Sequence, residues 1–539
     1  MNNRVRSAAL LSFGVTGHRG ISSKEKSKLE LQFSKIFHDY MNAMPNTSFL
    51  LLTALADGAD QIAAEVALDL PRFEVVATLP MPLMQYLEDF PEADRTRLLD
   101  LLGRCAGCID TSRHFLELRP DIASERDALY QICGRWISDN SEVLIAAWDG
   151  QAPVYTGGTA DIVHYRVSEA RSLSSAHAIG ESSRGQSSLV LWCPLMRRNA
   201  SQPNPEEADV RLLSAGDTCE PWFGVADDTA ASIEGFNKAA RPSRESRQAT
   251  ESLYESADEL ASTLQVRYRR LVQAIMGSGI FALLSIDAMQ TTNNLRLAVA
   301  LTFFVALTAV LMLLLYRTGI KTRFQQSRYL AEGSRVQLVW LASRLPRCPV
   351  DLQTDSVEEQ MAWIRSALRS AWVLDDSRMN EAPVMVKVEA WLREQLEYFL
   401  GVGHQVGAIV RMQRRQRIIQ RAAWLFLIPA IIAVGVEVAM MVVGVSPDAV
   451  SRQIVGLIWA LGIGGGVGLF SYGELMGYGE LGRRYALLVP SLTDAWASLA
   501  NSNSVEEAQI VVRNAGLAAL REAGDWLTLH TQSNVRPLW

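Results

Sequence analysis

The sequence predicts two fold classes in one chain of 539 residues. The first 200 residues read as an α/β doubly wound parallel sheet. The remainder is dominated by an all-α membrane domain with four transmembrane helices in two hairpins. Three observations predict this. Four long apolar runs, Leu271–Met289, Leu297–Tyr316, Ala422–Val443 and Ile454–Tyr472, lie in the second half. Short apolar strands alternate with helical patterns in the first. Glycine-rich turns follow several of those strands.

Each apolar run holds about 20 residues, which at roughly 1.5 Å rise per helical residue matches a hydrocarbon core of about 30 Å. A bilayer offers no water to unpaired backbone groups, so such runs must be helical. The short turns Gln290–Arg296 and Gly444–Gln453 make each pair a hairpin. Arg267, Arg269, Arg270, Arg317, Lys321, Arg323, Arg411, Arg414, Arg415, Arg417, Arg421, Arg483 and Arg484 flank the open ends of the hairpins, whereas the turns hold only Arg296 and Arg452. The positive-inside rule therefore puts both termini and the central segment in the cytoplasm.

In the N-terminal half the strands are Ser12–Val15, Phe49–Thr53, Phe73–Leu79, a short Gly107–Thr111, Glu142–Trp148 and a last strand Ser188–Pro194. Helices are expected over Lys24–Met41, Gln61–Leu70, Ser124–Asp139 and from Gly157 to about Ala170. The apolar stretch after Met1 is too short for a signal peptide and reads as the first strand. A net charge of −6 gives no general nucleic-acid signature, and no nucleic-acid partner is expected. The basic residues gather at membrane borders, where anionic headgroups explain them. Six cysteines are scattered; Cys105 and Cys108 have metal or redox spacing, but no second Cys/His pair accompanies them. Reduced thiols and no metal site are the expectation.

Three turns converge on one sheet edge. Gly14-Val-Thr-Gly-His-Arg-Gly20, Asp57-Gly-Ala-Asp60 and Gly157-Gly-Thr-Ala-Asp161 each follow a strand and open a helix. Ligands of open parallel sheets bind beyond the carboxyl ends of the strands. Glycines there let backbone N–H groups approach an anion, and helix N-termini supply partial positive charge. Thr16, Thr159 and the fixed cation Arg19 can add hydrogen bonds to phosphate. The expected ligand-binding residues are Gly14, Thr16, Gly17, His18, Arg19, Asp57, Gly58, Asp60, Pro80, Asp149, Gly157, Gly158, Thr159 and Asp161. The competing reading is turn chemistry alone, with His18 an ordinary loop histidine.

The segments "FGVTGHRG", "ADGADQIAAEVAL", "VVATLPMP", "SEVLIAAWDGQAP" and "YTGGTADIVHYR" occur in that order over residues 12–166. They resemble the SLOG superfamily, the Rossmann-like domains related to DprA and LOG proteins and to the sensor domains of TRPM channels. The resemblance implies a Rossmann-like nucleotide-binding sensor. LOG-type enzymes carry a Pro-Gly-Gly-x-Gly-Thr-x-x-Glu signature whose glutamate acts in N-glycosidic cleavage. This chain has Thr156 before Gly157 and Gly158, no second glycine before Thr159, and Ile162 where the glutamate would stand. Asp161 is the nearest substitute. The departure favours a binding domain over an active phosphoribohydrolase, so no catalytic residue is assigned, Asp161 being the alternative.

Domain boundaries follow composition: 1–200 the sensor, 201–252 a polar linker or insertion, 253–345 the first hairpin with a cytosolic helical extension. Residues 346–421 form a cytosolic helical segment, 422–482 the second hairpin and 483–539 the C-terminal helices. In the polar segment, with Asn204-Pro-Glu-Glu207 and Arg241-Pro-Ser, Trp222 and Phe223 are candidates to dock on the sheet domain. Val386 to Gln420 reads as a nearly unbroken amphipathic pattern feeding the third span, and two helices near Arg483–Leu499 and Val505–Leu529 close the chain. Two spans followed by "RYLAEGSRVQLVWL" (Arg328–Leu341) look like the SLATT class, two-span effector modules that accompany SLOG sensors in bacterial conflict systems.

Within the spans, Glu437 is the ionisable residue of note, either snorkelling to the interface or facing a lumen. Gly464, Gly465 and Gly466, with Gly462 and Gly468, signal close helix packing, or alternatively a flexible pore-lining helix. The expectation is a nucleotide-sensing, multi-pass effector of the bacterial inner membrane, pore-forming or membrane-disrupting in antiviral defence. It would act as a homo-oligomer in the lipid bilayer, with an ADP-ribose-like or cyclic-nucleotide ligand and no catalytic cofactor. The alternatives are a membrane-attached nucleotide N-glycosidase and a constitutive ion channel or transporter with a vestigial sensor.

Overall fold

The computed structural model describes residues 7–114, 118–153, 155–175, 189–195, 210–213, 219–225, 227–241, 246, 248–292, 295–352, 362–379, 383–445 and 448–532. The Asn204–Glu207 motif and the hairpin-turn residues 293–294 and 446–447 lie outside them. Two compact units divide the chain: Met1–Asp258 with Tyr329–Val384, and Glu259–Arg328 with Met385–Trp539.

The first unit runs β1 (Leu10–Gly17), α1 (Ser23–Ala43), β2 (Ser48–Thr53), α2 (Ala59–Leu68), β3 (Phe73–Leu79), α3 (Leu83–Tyr86), α4 (Glu92–Arg104) and β4 (Gly107–Asp110). There follow α5 (Ala123–Asp139), β5 (Val143–Trp148), α6 (Thr159–Ser175), β6 (Val190–Pro194), β7 (Arg211–Leu213), β8 (Cys219–Pro221) and α7 (Asp228–Ala239). The strands form one mixed sheet in the order β4-β3-β2-β1-β5-β6-β7-β8. It is parallel from β4 to β6 and antiparallel from β6 to β8. The expected all-parallel sheet ending at residue 194 is thereby corrected. β7 and β8 come from the polar segment read as a linker or insertion, whose three-residue strands are too short for periodicity to reveal.

β2 and β5 are buried along their whole length, which is why they read as unbroken apolar runs rather than alternating ones. α1 begins at Ser22, whose hydroxyl accepts from the Glu25 N–H, and buries Leu29, Phe33, Ile36, Phe37 and Tyr40. These rings close on the sheet: Phe13 to Tyr40 at 4.9 Å, Phe37 to Phe73 at 4.6 Å and Phe49 to Phe73 at 5.0 Å between centroids. Trp222 docks as expected, stacked on Tyr40 at 6.2 Å, whereas Phe223 is 93% exposed and does not. α7, not foreseen in the polar segment, is pinned by Asn237, whose side chain bonds both the N–H and the carbonyl of Ala9 at 2.9 and 3.0 Å.

The membrane-type helices are α8 (Ala249–Thr292), α9 (Leu295–Thr318), α13 (Ala408–Val443) and α14 (Ala449–Met476). Between them come α10 (Ile320–Ala342), α11 (Ala362–Asp376) and α12 (Met385–Leu400), and after them α15 (Tyr478–Ala500) and α16 (Val505–Gln532). Among the described residues four helices are long and apolar enough to cross a membrane by length and composition, and each of the four predicted runs lies on one of them. The unit boundaries fall inside α8 and α10. α11 packs against β1 and α7, so Tyr329–Val384 belongs to the sheet unit; the reading of 346–421 as a single segment divides at residue 385. The expected continuous helix from Val386 is interrupted at residues 401–407. A Cβ at Gly401 would stand 2.2 Å from the Gln405 carbonyl oxygen, and one at Gly407 2.3 Å from that of Phe399. This is a glycine turn that helical periodicity alone does not report.

In the second unit α13 packs along α14. A Cβ on Gly462 would meet the Ala430 Cβ at 2.2 Å, one on Gly465 the Phe426 ring at 3.0 Å, and one on Gly466 the Leu427 Cγ at 2.4 Å. Gly464 faces Leu283 of α8, at 3.1 Å. These glycines therefore serve close helix packing within the chain. Glu437 is half-buried on α13.

Candidate functional site

The sheet order reverses between β1 and β5: the chain adds strands outward from β1 to β4, then crosses back to lay β5 on the other side of β1. Such a reversal leaves a crevice beyond the strand ends. A cavity of about 330 Å³ lies there, a volume suited to a small-molecule ligand.

The β1 end supplies Thr16, Gly17, His18 and Arg19, the β2–α2 connection supplies Ala54, Ala56 and Asp60, and the β5 end supplies Trp148 and Asp149. Gly157, Gly158 and Thr159 come from the start of α6. The sequence expected all of these except Ala54, Ala56 and Trp148. Nine of its ligand-binding candidates thus meet in one cavity wall although they come from four chain segments. Gly14, Asp57, Gly58, Pro80 and Asp161 are not in the lining.

Those five shape the wall from behind, or stand apart from it. A Cβ on Gly14 would meet the Ser141 Oγ at 2.6 Å and the Ile137 Cγ2 at 2.9 Å, so glycine lets β1 pass close to the end of α5. Gly58 has φ +101°, and its Cβ would stand 2.4 Å from the His18 carbonyl oxygen, so the β2–α2 turn demands glycine. The Asp57 Oδ2 accepts the Gly20 N–H at 3.3 Å and holds the β1 loop. Pro80 is buried after β3. The Asp161 Oδ2 accepts the Gly157 N–H at 2.9 Å and the Gln131 Nε2–H at 2.8 Å. Its carboxylate fastens the glycine turn rather than facing the cavity.

α5 brings in a face the sequence reading missed: Tyr130, Cys133, Gly134 and Ile137 line the cavity. The spacing i, i+3, i+4, i+7 is the available signal, but it reads equally as core. Gly134 lets α6 approach, since a Cβ there would meet the Ile162 Cδ1 at 2.6 Å. Tyr155, 72% exposed, adds an aromatic ring among the lining residues.

Charge is distributed unevenly along the wall. The Arg19 guanidinium lies 5.0 Å from the Tyr130 ring centroid. Burial opposes its charge, but the adjacent Tyr130 and the nearby Asp60 hold its pKa above the ordinary value. The His18 Nε2 lies 3.1 Å from the Asp149 Oδ1 and 3.2 Å from the Asp149 backbone N. Burial pushes the Asp60 carboxyl up to about 7, against the opposing pull of Arg19 and of the Ala56 and Ala54 N–H groups. Tyr130 is pushed up to about 12 by burial and its bond to Asp89.

The first turn of α6 points backbone N–H groups and a positive dipole end toward the Gly157–Thr159 wall. With Arg19 it can hold an anion, and the apolar side chains of Val15, Trp148 and Ile162 can cover a flat ring. Among the described residues no group of three His, Cys, Asp or Glu side chains is arranged for a metal ion. Cys105 and Cys108 are free, and burial pushes their thiols up to about 12 and about 11. At neutral pH they are protonated and poor nucleophiles. No protein-family model and no curated protein matches the chain.

Proposed function

We propose that the chain is a nucleotide-sensing integral membrane effector, in which a SLOG-like, Rossmann-like domain binds a phosphorylated nucleotide signal and SLATT-like hairpins act on the bilayer. The observation that carries the reading is the convergence of Thr16–Arg19, Asp60 and Gly157–Thr159 on one cavity at the β1/β5 reversal, in a chain that also has four membrane-length apolar helices. A cation, a helix N-terminus and glycine turns are the chemistry that holds phosphate. The engagement of Asp161 in the turn favours binding over N-glycosidic cleavage.

No residue of α9 is buried within the chain, and Phe303, Val310, Met312 and Leu314 are among its exposed side chains. Lipid and further copies of the chain are the partners that surface calls for, and four spans are too few to enclose a wide pore alone. We therefore assign a homo-oligomer of the bacterial inner membrane with both termini cytoplasmic. Ligand binding shifts its closed–open balance only through differential affinity for the two states.

The test is ion flux from proteoliposomes containing the full chain, with ADP-ribose, AMP and cyclic nucleotides added on the cytoplasmic side. Flux that depends on one of them is the expected result. Flux unchanged by every nucleotide, or equally high without any, would overturn the gating.

A further inference from the structure

Asp60 places a buried acid in the cavity wall, which in its ionised form repels a phosphate. It sits in the first turn of α2, is 5% exposed, and lines the cavity between Ala56 and the α5 face. The backbone N–H groups of Ala56 and Ala54 favour its ionised form, though burial outweighs them. Between those two alanines Leu55 is held at φ +54°, with its N–H on the Thr53 Oγ1 at 3.1 Å and its carbonyl accepting from the Gln61 Nε2 at 3.2 Å. A non-glycine residue in the left-handed region is uncommon and strained. These two bonds hold the turn beside Asp60. An ionised carboxylate has about four acceptor sites, and those of Asp60 border the cavity.

An anion beside Asp60 would meet like charge, while Arg19 and the α6 N-terminus offer it a better place. We infer that Asp60 reads the nucleoside part of the ligand: its carboxylate accepts a hydrogen bond from a sugar hydroxyl or a base N–H, so the site selects phosphorylated nucleosides over bare phosphates. This rests on the cavity being the phosphate-ligand site proposed above. Burial without further donors favours the neutral acid; ligand donors favour the carboxylate, so binding releases a proton.

The titratable groups around Asp60 act in known directions. Arg19 is charged throughout, and burial holds Tyr86, Tyr130 and Cys133 neutral. His18 has its Nε2 3.1 Å from the Asp149 Oδ1.

The experiment measures binding of ADP-ribose, AMP, 2′,3′-dideoxy-AMP and pyrophosphate to the full chain in detergent, for wild type and Asp60→Asn. ADP-ribose serves for the pH series because its diphosphate does not titrate between pH 6 and 8. Wild-type affinity for it should rise about tenfold from pH 6 to pH 8, as one carboxyl near 7 ionises. Asp60→Asn should remove that slope and weaken ADP-ribose and AMP tenfold or more at pH 8, with pyrophosphate not weakened. If 2′,3′-dideoxy-AMP binds wild type as weakly as AMP binds the variant, the donor is a sugar hydroxyl; if it binds like AMP, the donor is on the base. Equal weakening of all probes including pyrophosphate, or no weakening of any, overturns the role of Asp60 and leaves the phosphate site standing. No binding of any probe to wild type overturns both. Should Asp60→Asn not fold, the wild-type ADP-ribose series decides, a flat or falling profile overturning the inference.

Discussion

Gly17→Ala tests whether the cavity wall is as closely built as the structure has it. Gly17 ends β1, paired with Ala147 of β5, and its backbone lies outside the left-handed region, so alanine is conformationally acceptable. In open space such a change would stabilise by about 0.4–1 kcal/mol through the unfolded state. Here the new Cβ would stand 2.3 Å from the Ala59 Cβ and 2.9 Å from the Ala147 Cβ. The first gap is about 1 Å short of the 3.4 Å at which ordinary contact begins. Both neighbours are fixed to backbone, so the start of α2 must move away. Overpacking of this kind costs about 1–3 kcal/mol. The 3.3 Å bond from the Ala59 N–H to the His18 carbonyl would go with it, worth about 1 kcal/mol. A net loss of about 1–3 kcal/mol is expected, read as a lower unfolding temperature by tryptophan fluorescence of the full chain in detergent. Gly103→Ala is the control: it lies in α4, nothing stands within 4 Å of its Cβ, and it should gain up to about 1 kcal/mol. Adding Ala59→Gly to Gly17→Ala should recover much of the loss. A Gly17→Ala protein as stable as the Gly103→Ala control would refute the packing argument.

Two further predictions concern the opposite end of the sheet and the start of α8. Burial, then the nearby Asp227, push Glu142 up to about 7, with Arg166 and Arg369 opposing. The folded protein then binds more protons than the unfolded chain between about pH 4.5 and 7. Stability is fully present below that window and falls as pH rises through it, by an amount of order 3 kcal/mol for this group. Glu142→Gln should flatten that part of the stability–pH curve and stabilise at pH 8; an unchanged slope in denaturant unfolding at pH 5 and 8 would count against it. Asp375, on α11, accepts the Ala249 and Thr250 N–H groups at 2.7 and 2.8 Å and so caps α8. Asp375→Ala should cost about 1–2 kcal/mol and lower hydrogen-exchange protection over Ala249–Leu253, and unaltered protection there would sink the capping role.

What the sequence made legible, and what it hid, follows from the range of the interactions. β3 was readable to the residue because Phe73–Leu79, apolar but for Glu74 and Thr78, is bounded by Pro71 and Pro80. The four apolar helices were readable because length against a bilayer is a one-dimensional property. Gly157, Gly158 and Arg19 were found through local turn and charge chemistry. Tyr130, Cys133 and Ile137 were not, because a helix face toward a cavity and a helix face toward a core have the same spacing. Asp161 shows the opposite case. Its position after a glycine turn looks functional, yet its hydrogen bonds to Gly157 and Gln131 are loop bonds that only the folded geometry reveals. β7, β8 and α7 were missed in a polar segment whose docking rests on a few long-range contacts, such as Asn237 on Ala9.

Asp60 and Glu142 show why a perturbed acid does not by itself mark a site. Both are buried carboxyls pushed up to about 7, Asp60 beyond the carboxyl end of β2 and Glu142 just before β5. Perturbation of this size is common at functional sites, but structural charge clusters produce it equally. What separates them is their surroundings. Glu142 is enclosed by Asp227, Arg166, Ser366 and Arg369, and Arg166 is itself spent on the carbonyls of Ser138, Ser141 and Glu142. Asp60 is buried at the first turn of α2 and borders an open cavity. A ligand can change the ionisation of Asp60 by supplying hydrogen bonds, whereas only unfolding or mutation can change the partners of Glu142. Both titrations therefore bear on fold stability, but only that of Asp60 also bears on ligand affinity, so the pH series of binding should respond to Asp60→Asn and not to Glu142→Gln.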